Sequence, residues 1–476
     1  MRGEAPTSRL RLGLGRVEIT PPVGIYHRMW GAARHDRAAG VHRPLVADVL
    51  ALAPLDRGPI HLRAHLDLVG LAQADHQNLR EALAASAGIP AAQVVVAFSH
   101  THSAGFFLPD RVALPGGELI PPYLLQLRQR LQEACLQAIY SMRACTITYA
   151  SGACAMAANR DCWDAVSGQF VCGFNPEGEP DLTTLVARVS GPENEAVATL
   201  VNYACHPTSL AWETQLISPD YPGAMRETVE GATGAPCVFA LGACGDQGPR
   251  DGFVGDPAVA DRNGRQLAHA VLAVLEGMGP PATDFAYQGP VVSGATLGAW
   301  VHHPFGNERL EATTRFTGGT HSVDLPLKPG LDAPTFSAQL AEWTSRQQEA
   351  EARGDQLAAR DCRARAERAR RWLARLTDLP AGPTYGLRFS VHRLGDAVWI
   401  GCGAEPYSLV QTELRRRFPH RPILLSPLCS DLQVAYLLPR DRYGKGLYQE
   451  EPSSLGPGCL EQLIEAIAAQ IAALEV

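Results

Sequence analysis

Val94-Val95-Val96-Ala97-Phe98 is an unbroken apolar run, and it breaks at once into Ser99-His100-Thr101-His102-Ser103-Ala104-Gly105. A run this short reads as a buried strand, because continuous apolarity suits a strand covered on both faces. The amphipathic pattern just before it, Gln73 to Ala85, reads as a helix and gives the region α/β character. Side chains two apart on a strand share a face, so His100 and His102 are expected to project together from its carboxyl end. That is a place to hold a metal ion or to carry out acid–base chemistry. A hydrogen-bonded histidine pair closing a strand is the plainer alternative.

The same pattern recurs along the chain. Ala196 to Tyr203 runs into Ala204-Cys205-His206-Pro207, Cys237 to Leu241 into Gly242-Ala243-Cys244-Gly245-Asp246, and Ala397 to Gly401 into Ala404-Glu405-Pro406. Further strands are expected at Leu12 to Thr20, Leu45 to Pro54, Ile60 to Val69, Cys145 to Ala150, Leu185 to Val189, Leu387 to Leu394 and Pro422 to Leu428. Helices are expected at Tyr123 to Tyr140, Tyr221 to Val229, Ala258 to Leu275, Tyr407 to Arg417 and Cys459 to Leu474. Pro334 to Leu376, broken at Gly354-Asp355, reads as a helical hairpin packed on the outside through Leu340, Trp343, Leu357, Trp372 and Leu376. The expected fold is α/β: mixed β-sheets flanked by α-helices, with a peripheral helical hairpin, in one domain spanning residues 1–476.

Composition narrows the function. A net charge of −7 with no basic stripe excludes a nucleic-acid binder. The one basic run, Arg363 to Arg375, alternates with Ala and Glu at helical spacing and reads as a solvated helix face. No segment approaches a membrane span, so no stable membrane insertion is expected, and Met1 to Pro6 lacks the apolar core of a secretion signal. The 12 cysteines are scattered singly, which fits reduced, buried thiols and a cytoplasmic protein. A processed secreted form and a homo-oligomer both stay compatible with the chain.

In α/β proteins ligands sit beyond the carboxyl ends of strands, where loops converge. Two or three histidines and a carboxylate are what a catalytic zinc site needs. Against this, His206 before Pro207 could cap its strand, Glu405 could cap the helix after it, and Arg160 could be a surface loop residue.

Gly13-Leu-Gly-Arg-Val-Glu-Ile-Thr-Pro-Pro22, Gly40-Val-His-Arg-Pro-Leu45, Ser99-His-Thr-His-Ser-Ala-Gly105, Asn202-Tyr-Ala-Cys-His-Pro-Thr208, Ser218-Pro-Asp-Tyr-Pro-Gly223 and Gly242-Ala-Cys-Gly-Asp-Gln-Gly-Pro249 follow one another in this order. Together they resemble the catalytic domain of the neutral/alkaline ceramidase superfamily, and the likeness extends through Gly403-Ala-Glu-Pro406 and Tyr448-Gln-Glu-Glu-Pro-Ser453. The resemblance implies a zinc-dependent amidohydrolase acting on a small-molecule amide. It implies His100, His206, Glu405 and Tyr448 as zinc ligands, with Tyr443 a close competitor for the last. It places His102 and Arg160 at the reaction centre, His102 moving the proton and Arg160 holding an oxyanion or an anionic substrate group. His102 as a further ligand stays open. Asp246 is expected to orient a histidine or fix its loop.

Two departures bear on the chemistry. Where the family carries a serine in G-D-x-S-P, this chain has Gly248, so the nucleophile is expected to be water. The chain also ends without room for the family's further C-terminal β-sandwich domain, and a small soluble amide is expected rather than ceramide in a membrane. An ester or lactone hydrolase on the same site, or an inactive binding protein of this fold, are the alternatives.

Overall fold

The structure is a computed structural model that describes residues 2–3, 5–430 and 432–475. Eight strands form its larger sheet: β1 (Thr7–Glu18), β2 (Val46–Ala53), β3 (His61–Leu66), β4 (Val94–Phe98), β5 (Arg143–Ala153), β6 (Thr183–Ser190), β7 (Ala196–Tyr203) and β8 (Cys237–Leu241). Their spatial order is β8-β7-β6-β5-β1-β2-β3-β4. Neighbours are antiparallel except β3–β4 and β7–β8. Those parallel pairs need crossovers, and they have them: α1 (Gln73–Ala87) lies between β3 and β4, and α3 (Tyr221–Thr233) between β7 and β8.

Alternation along each strand sorts the two faces. On β2, Val49 and Ala51 join the core formed with α1, α2 (Ile120–Tyr140), α3 and α4 (Pro257–Glu276). Leu50 and Leu52 point the other way, into a cluster shared with Trp399 and Leu424 of a second sheet. An exposed hairpin of β9 (Thr283–Val292) and β10 (Thr296–Pro304), then the short helix α5 (Asn307–Ala312), precede that second sheet. It has the order β11 (Phe316–Pro326), β12 (Thr384–Leu394), β13 (Ala397–Cys402), β14 (Ile423–Ser426). The apolar faces of α8 (Leu409–Arg417) and α9 (Cys459–Ala473) share a core with this sheet. The layers thus run helices, eight-stranded sheet, four-stranded sheet, helices, which is the mixed α/β architecture that the periodicity predicts. Asn202 on β7 ties the sheets together, its amide donating to the carbonyls of Ala240 and Leu425, each at 2.9 Å. β8 also lies against β3 and β4, so the ends of β4, β7 and β8 converge although β4 and β8 are at opposite ends of the sheet order. Among the described residues no helix is long and apolar enough to cross a membrane, and no cysteine is in a disulfide.

The expected helical hairpin is present as α6 (Ala333–Ala352) and α7 (Gln356–Asp378), turning at Gly354 with a left-handed φ of 72°. It is not merely peripheral. Leu357, expected to pack, is 61% exposed, whereas Trp372 is buried and stacks on Phe336 with ring centroids 5.0 Å apart. The inner face of α7 walls the cavity described below, so its pattern follows a polar cavity as well as an apolar core. Glu367 anchors it: Arg111, fully buried in the loop before α2, reaches its two carboxylate oxygens at 2.7 and 2.6 Å. Burial pushes the Glu367 carboxyl up, but Arg371 and Arg111 outweigh burial and hold it at about 2 against an ordinary 4.5. A depressed folded-state pKa stabilises above the unfolded value, so this anchor is at full strength above about pH 4.5 and is lost as pH falls through about 2. Glu367→Gln leaves buried Arg111 with only the half-buried Asp110, 3.4 Å away, as counter-charge, at a cost of about 3 kcal/mol. The expected result is a lower urea midpoint and faster proteolysis within α6–α7 at pH 7; an unchanged midpoint would show the pair to be dispensable.

Candidate metal centre

β4 ends at Phe98, so the histidine pair is not on a strand, contrary to the expectation from its spacing. Thr101 is fully buried, its hydroxyl donating to the Ser218 carbonyl at 2.7 Å. His100 takes a left-handed φ of 65°, a conformation rare for a side chain of its size. The two rings still meet, 4.8 Å between centroids, because the turn rather than strand pleating brings them together. Left-handed φ also occurs at Ala404 (67°), next to Glu405, and at Ala435 (55°), next to Tyr436. Three such residues at one site, each costing about 1–3 kcal/mol, are typical of backbone held in shape for function.

His100 donates from Nδ1 to the Val69 carbonyl at 2.6 Å, and His206 from Nδ1 to the Cys244 carbonyl at 2.7 Å. With Nδ1 committed to a carbonyl, each ring turns its Nε2 atom inward. What they face is one carboxylate oxygen: Glu405 Oε2 lies 3.2 Å from His100 Nε2 and 3.2 Å from His206 Nε2. Burial lowers the pKa of His206 to about 3, so it is neutral at pH 7. The lone pair of neutral His206 aimed at a buried carboxylate is repelled unless a cation lies between them. The spacing suits one. Ligands about 2.0–2.1 Å from a tetrahedral zinc are separated by about 3.3 Å. The donor set and its geometry fit a zinc ion.

Glu405 does not cap the following helix, since Ser408 takes that position. Glu405–Pro406 instead pairs in parallel with Tyr436–Leu437, Glu405 opposite Tyr436. That register brings the Tyr436 hydroxyl within 3.5 Å of His206 Nε2. Tyr448, expected as the fourth ligand, stands one ring further out, 5.9 Å from Tyr436 centroid to centroid, and lines the cavity. Tyr443 points elsewhere, its hydroxyl donating to the Leu455 carbonyl at 3.1 Å. Tyr436 was not singled out in the sequence. Its only signal is a tyrosine inside the apolar run Val434 to Leu438, which reads as a core strand.

Arg160 is buried, not a surface loop residue. The ribbon pairing Ala157–Asn159 with Gln247–Pro249 carries it to the site. Its Nη2 donates to the Gly245 carbonyl at 2.8 Å and lies 3.5 Å from His206 Nε2, and its guanidinium stands 5.3 Å from the centre of the Tyr436 ring. Gly245 must be a glycine: a Cβ there would lie 2.7 Å from the Glu405 carbonyl oxygen. Asp246 takes the second of its two expected tasks. Its oxygens accept from the Ser408 amide at 2.7 Å and the Ser408 hydroxyl at 2.8 Å, fixing the loop that bears Glu405 rather than touching a histidine. Burial raises its pKa to about 6. At Gly248 a side chain would fit, with Thr208 Oγ1 3.6 Å and Arg160 Cδ 3.8 Å from its Cβ.

His102 completes the cluster. The ligand atoms of His100, His102 and His206 lie within 4.8 Å of one another. Its Nε2 is buried without a hydrogen-bond partner, beside Trp30 at 5.1 Å between ring centroids. Burial, then the neighbouring His100 and His206, hold its pKa well below the ordinary value.

Fold and site together define a mixed α/β protein with a buried histidine–carboxylate centre at converging strand ends. No protein-family model matches the chain, and no curated protein matches it by sequence. Solved structures do. The chain is similar to neutral ceramidase from Pseudomonas aeruginosa, with a TM-score of 0.66 and 16% identity over 99% of this chain and 75% of that one. It is similar to a ceramidase complexed with C2, with a TM-score of 0.65 and 15% identity over 99% of this chain and 76% of that one. The fold is neutral ceramidase-like.

Proposed function

We propose that the protein is a zinc-dependent hydrolase that cleaves the C–N amide bond of a small amide. The single observation that carries this is Glu405 Oε2 placed 3.2 Å from two imidazole nitrogens whose other nitrogens are committed to backbone carbonyls. His100, His206 and Glu405 would hold the ion, with Tyr436 rather than Tyr448 as the fourth protein group. Zinc bound there polarises a carbonyl and lowers the pKa of water toward about 7.

The remaining residues supply the rest. His102, neutral and without a partner on Nε2, accepts the proton of the attacking water and returns it to the leaving nitrogen. The C–N bond breaks, a C–O bond forms from water, and the amine leaves neutral. Arg160 is charged at any working pH and faces the same centre, where it steadies developing negative charge. Tyr448, on the cavity wall, is placed to donate a hydrogen bond to substrate. Asp246 holds the Glu405 loop through Ser408.

The test is metal analysis with a turnover screen. About one zinc per chain is expected in the freshly purified protein. Chelation is expected to abolish release of amine from N-acyl amino acids, N-acyl amines or ceramides, and zinc to restore it. A protein that holds no zinc and gains no activity on its addition would refute the reading. Faster turnover of ester or lactone analogues than of matched amides would move the assignment to that bond on the same site.

A further inference from the structure

The basic run Arg363 to Arg375 is a solvated face only in part. Arg365 is exposed and lies 4.5 Å from the Trp343 ring. Arg371 and Arg375 turn inward, to the junction of two cavity lobes above the metal centre. One lobe, about 300 Å³, is walled by Val69, Phe106, Leu108 and Leu432 and reaches His100 and Glu405. The other, about 350 Å³, is walled by Trp30, Trp212 and Phe253 and reaches Arg160. Both are at the small end of ligand pockets.

The charges around this junction can be paired off. Arg160 is held by Gly245, Arg371 by Glu367 at 3.0 Å and the Met29 carbonyl at 2.5 Å, and Arg368 by Glu451 at 3.3 Å. The acids are engaged as well. Asp110 faces Arg111 at 3.4 Å, Asp378 accepts from Gln433 at 2.7 Å, and Glu451 accepts from the Trp372 indole at 3.0 Å. Arg375 is left over. One Nη donates to the Pro452 carbonyl at 3.0 Å and the guanidinium stands 5.3 Å from the Trp372 ring; the charges of Glu451 and Glu405 favour its cationic form, but among the described residues no carboxylate forms a direct ion pair with it. A guanidinium with free donors in a semi-enclosed cavity matches a carboxylate, which it can grip with two parallel hydrogen bonds.

We propose that Arg375 is the specificity-determining residue for an anionic substrate: the cavity takes amides bearing a carboxylate, of the N-acyl amino acid class. The acyl group occupies the Val69, Phe106, Leu108 and Leu432 lobe and the acid sits on Arg375. Turnover of such substrates rests on the hydrolase reading; binding of the carboxylate does not.

The experiment compares N-octanoylglycine with its neutral carboxamide, in the zinc-loaded protein and in Arg375→Met, Arg375→Lys and Arg365→Met. The wild type is expected to favour the acid by about 10- to 100-fold in kcat/KM, the worth of a charged hydrogen bond. Arg375→Met is expected to bring that ratio to about one, mainly through KM, Arg375→Lys to restore part of it, and Arg365→Met to leave it unchanged. Calorimetric titration with N-octylsulfonylglycine, which cannot be hydrolysed as an amide, reads the anion site without turnover. Equal affinity of wild type and Arg375→Met for that ligand, or equal turnover of acid and carboxamide by the wild type, overturns the proposal. Affinity lost in Arg375→Met with no amide cleaved by the wild type keeps the anion site and sinks the hydrolase reading instead.

Discussion

Glu405→Gln is expected to release the metal and abolish measurable amide hydrolysis while leaving the protein folded. Among the described residues the carboxylate is the only anionic group that touches both His100 and His206, so its charge offsets that of the ion. Removing one partner of a buried charged pair costs about 3–5 kcal/mol, which lowers metal affinity by about two to four orders of magnitude. The metal-free form responds in the opposite direction. In the wild type it faces the Nε2 lone pair of neutral His206 with a carboxylate, whereas a glutamine amide can donate to that nitrogen. Chelator-treated Glu405→Gln is therefore expected to melt above chelator-treated wild type, and the zinc-loaded wild type above both. Elemental analysis and melting curves with and without chelator read all three states. Full zinc content with wild-type kcat/KM in Glu405→Gln would show that the ion, or the chemistry, lies elsewhere.

The parts of this site that were legible in the sequence share one physical cause. His100, His206 and Glu405 each follow a short apolar run and precede Gly or Pro, and a buried strand that ends in a polar residue has few other readings. The same logic found β4, β7, β8 and β13. What stayed hidden was set by tertiary pairing. Tyr436 reaches the centre through a parallel register with Glu405, and nothing in Val434 to Leu438 distinguishes that tyrosine from a core residue. Strand pleating predicts a shared face for His100 and His102, but it is the left-handed His100 that brings their rings together. The apolar stripe predicts the hairpin but not its polar inner face. The inward arginines of α7 repeat at the same helical spacing as outward ones, and only the packing of α7 over the cavity separates Arg375 from Arg365. Residues 277–333 carry three strands that periodicity did not suggest, because much of β9, β10 and β11 is exposed and their alternation is not apolar against polar.

His102→Gln divides the two roles open to the second histidine. As a proton carrier, His102 can be lost without loss of the ion. Turnover is then expected to fall by about 10²–10⁴, with KM little changed and about one zinc per chain retained. As a ligand, its loss would take the metal with it. The geometry favours the first. Glu405 contacts His100 and His206 at 3.2 Å, but the three imidazoles together span up to 4.8 Å, wider than the edge of a tetrahedral zinc site. With Tyr436 within 3.5 Å of His206, four protein groups are present without His102. The residue lines the cavity that must hold the substrate and is neutral because burial depresses its pKa, and a neutral imidazole is the form that accepts a proton. Glutamine keeps the volume beside Trp30 and a polar atom at the same height, but it cannot be protonated near pH 7. Zinc analysis alongside kcat decides the matter: metal lost in proportion to activity would make His102 a ligand and leave the proton to Tyr448 or to solvent.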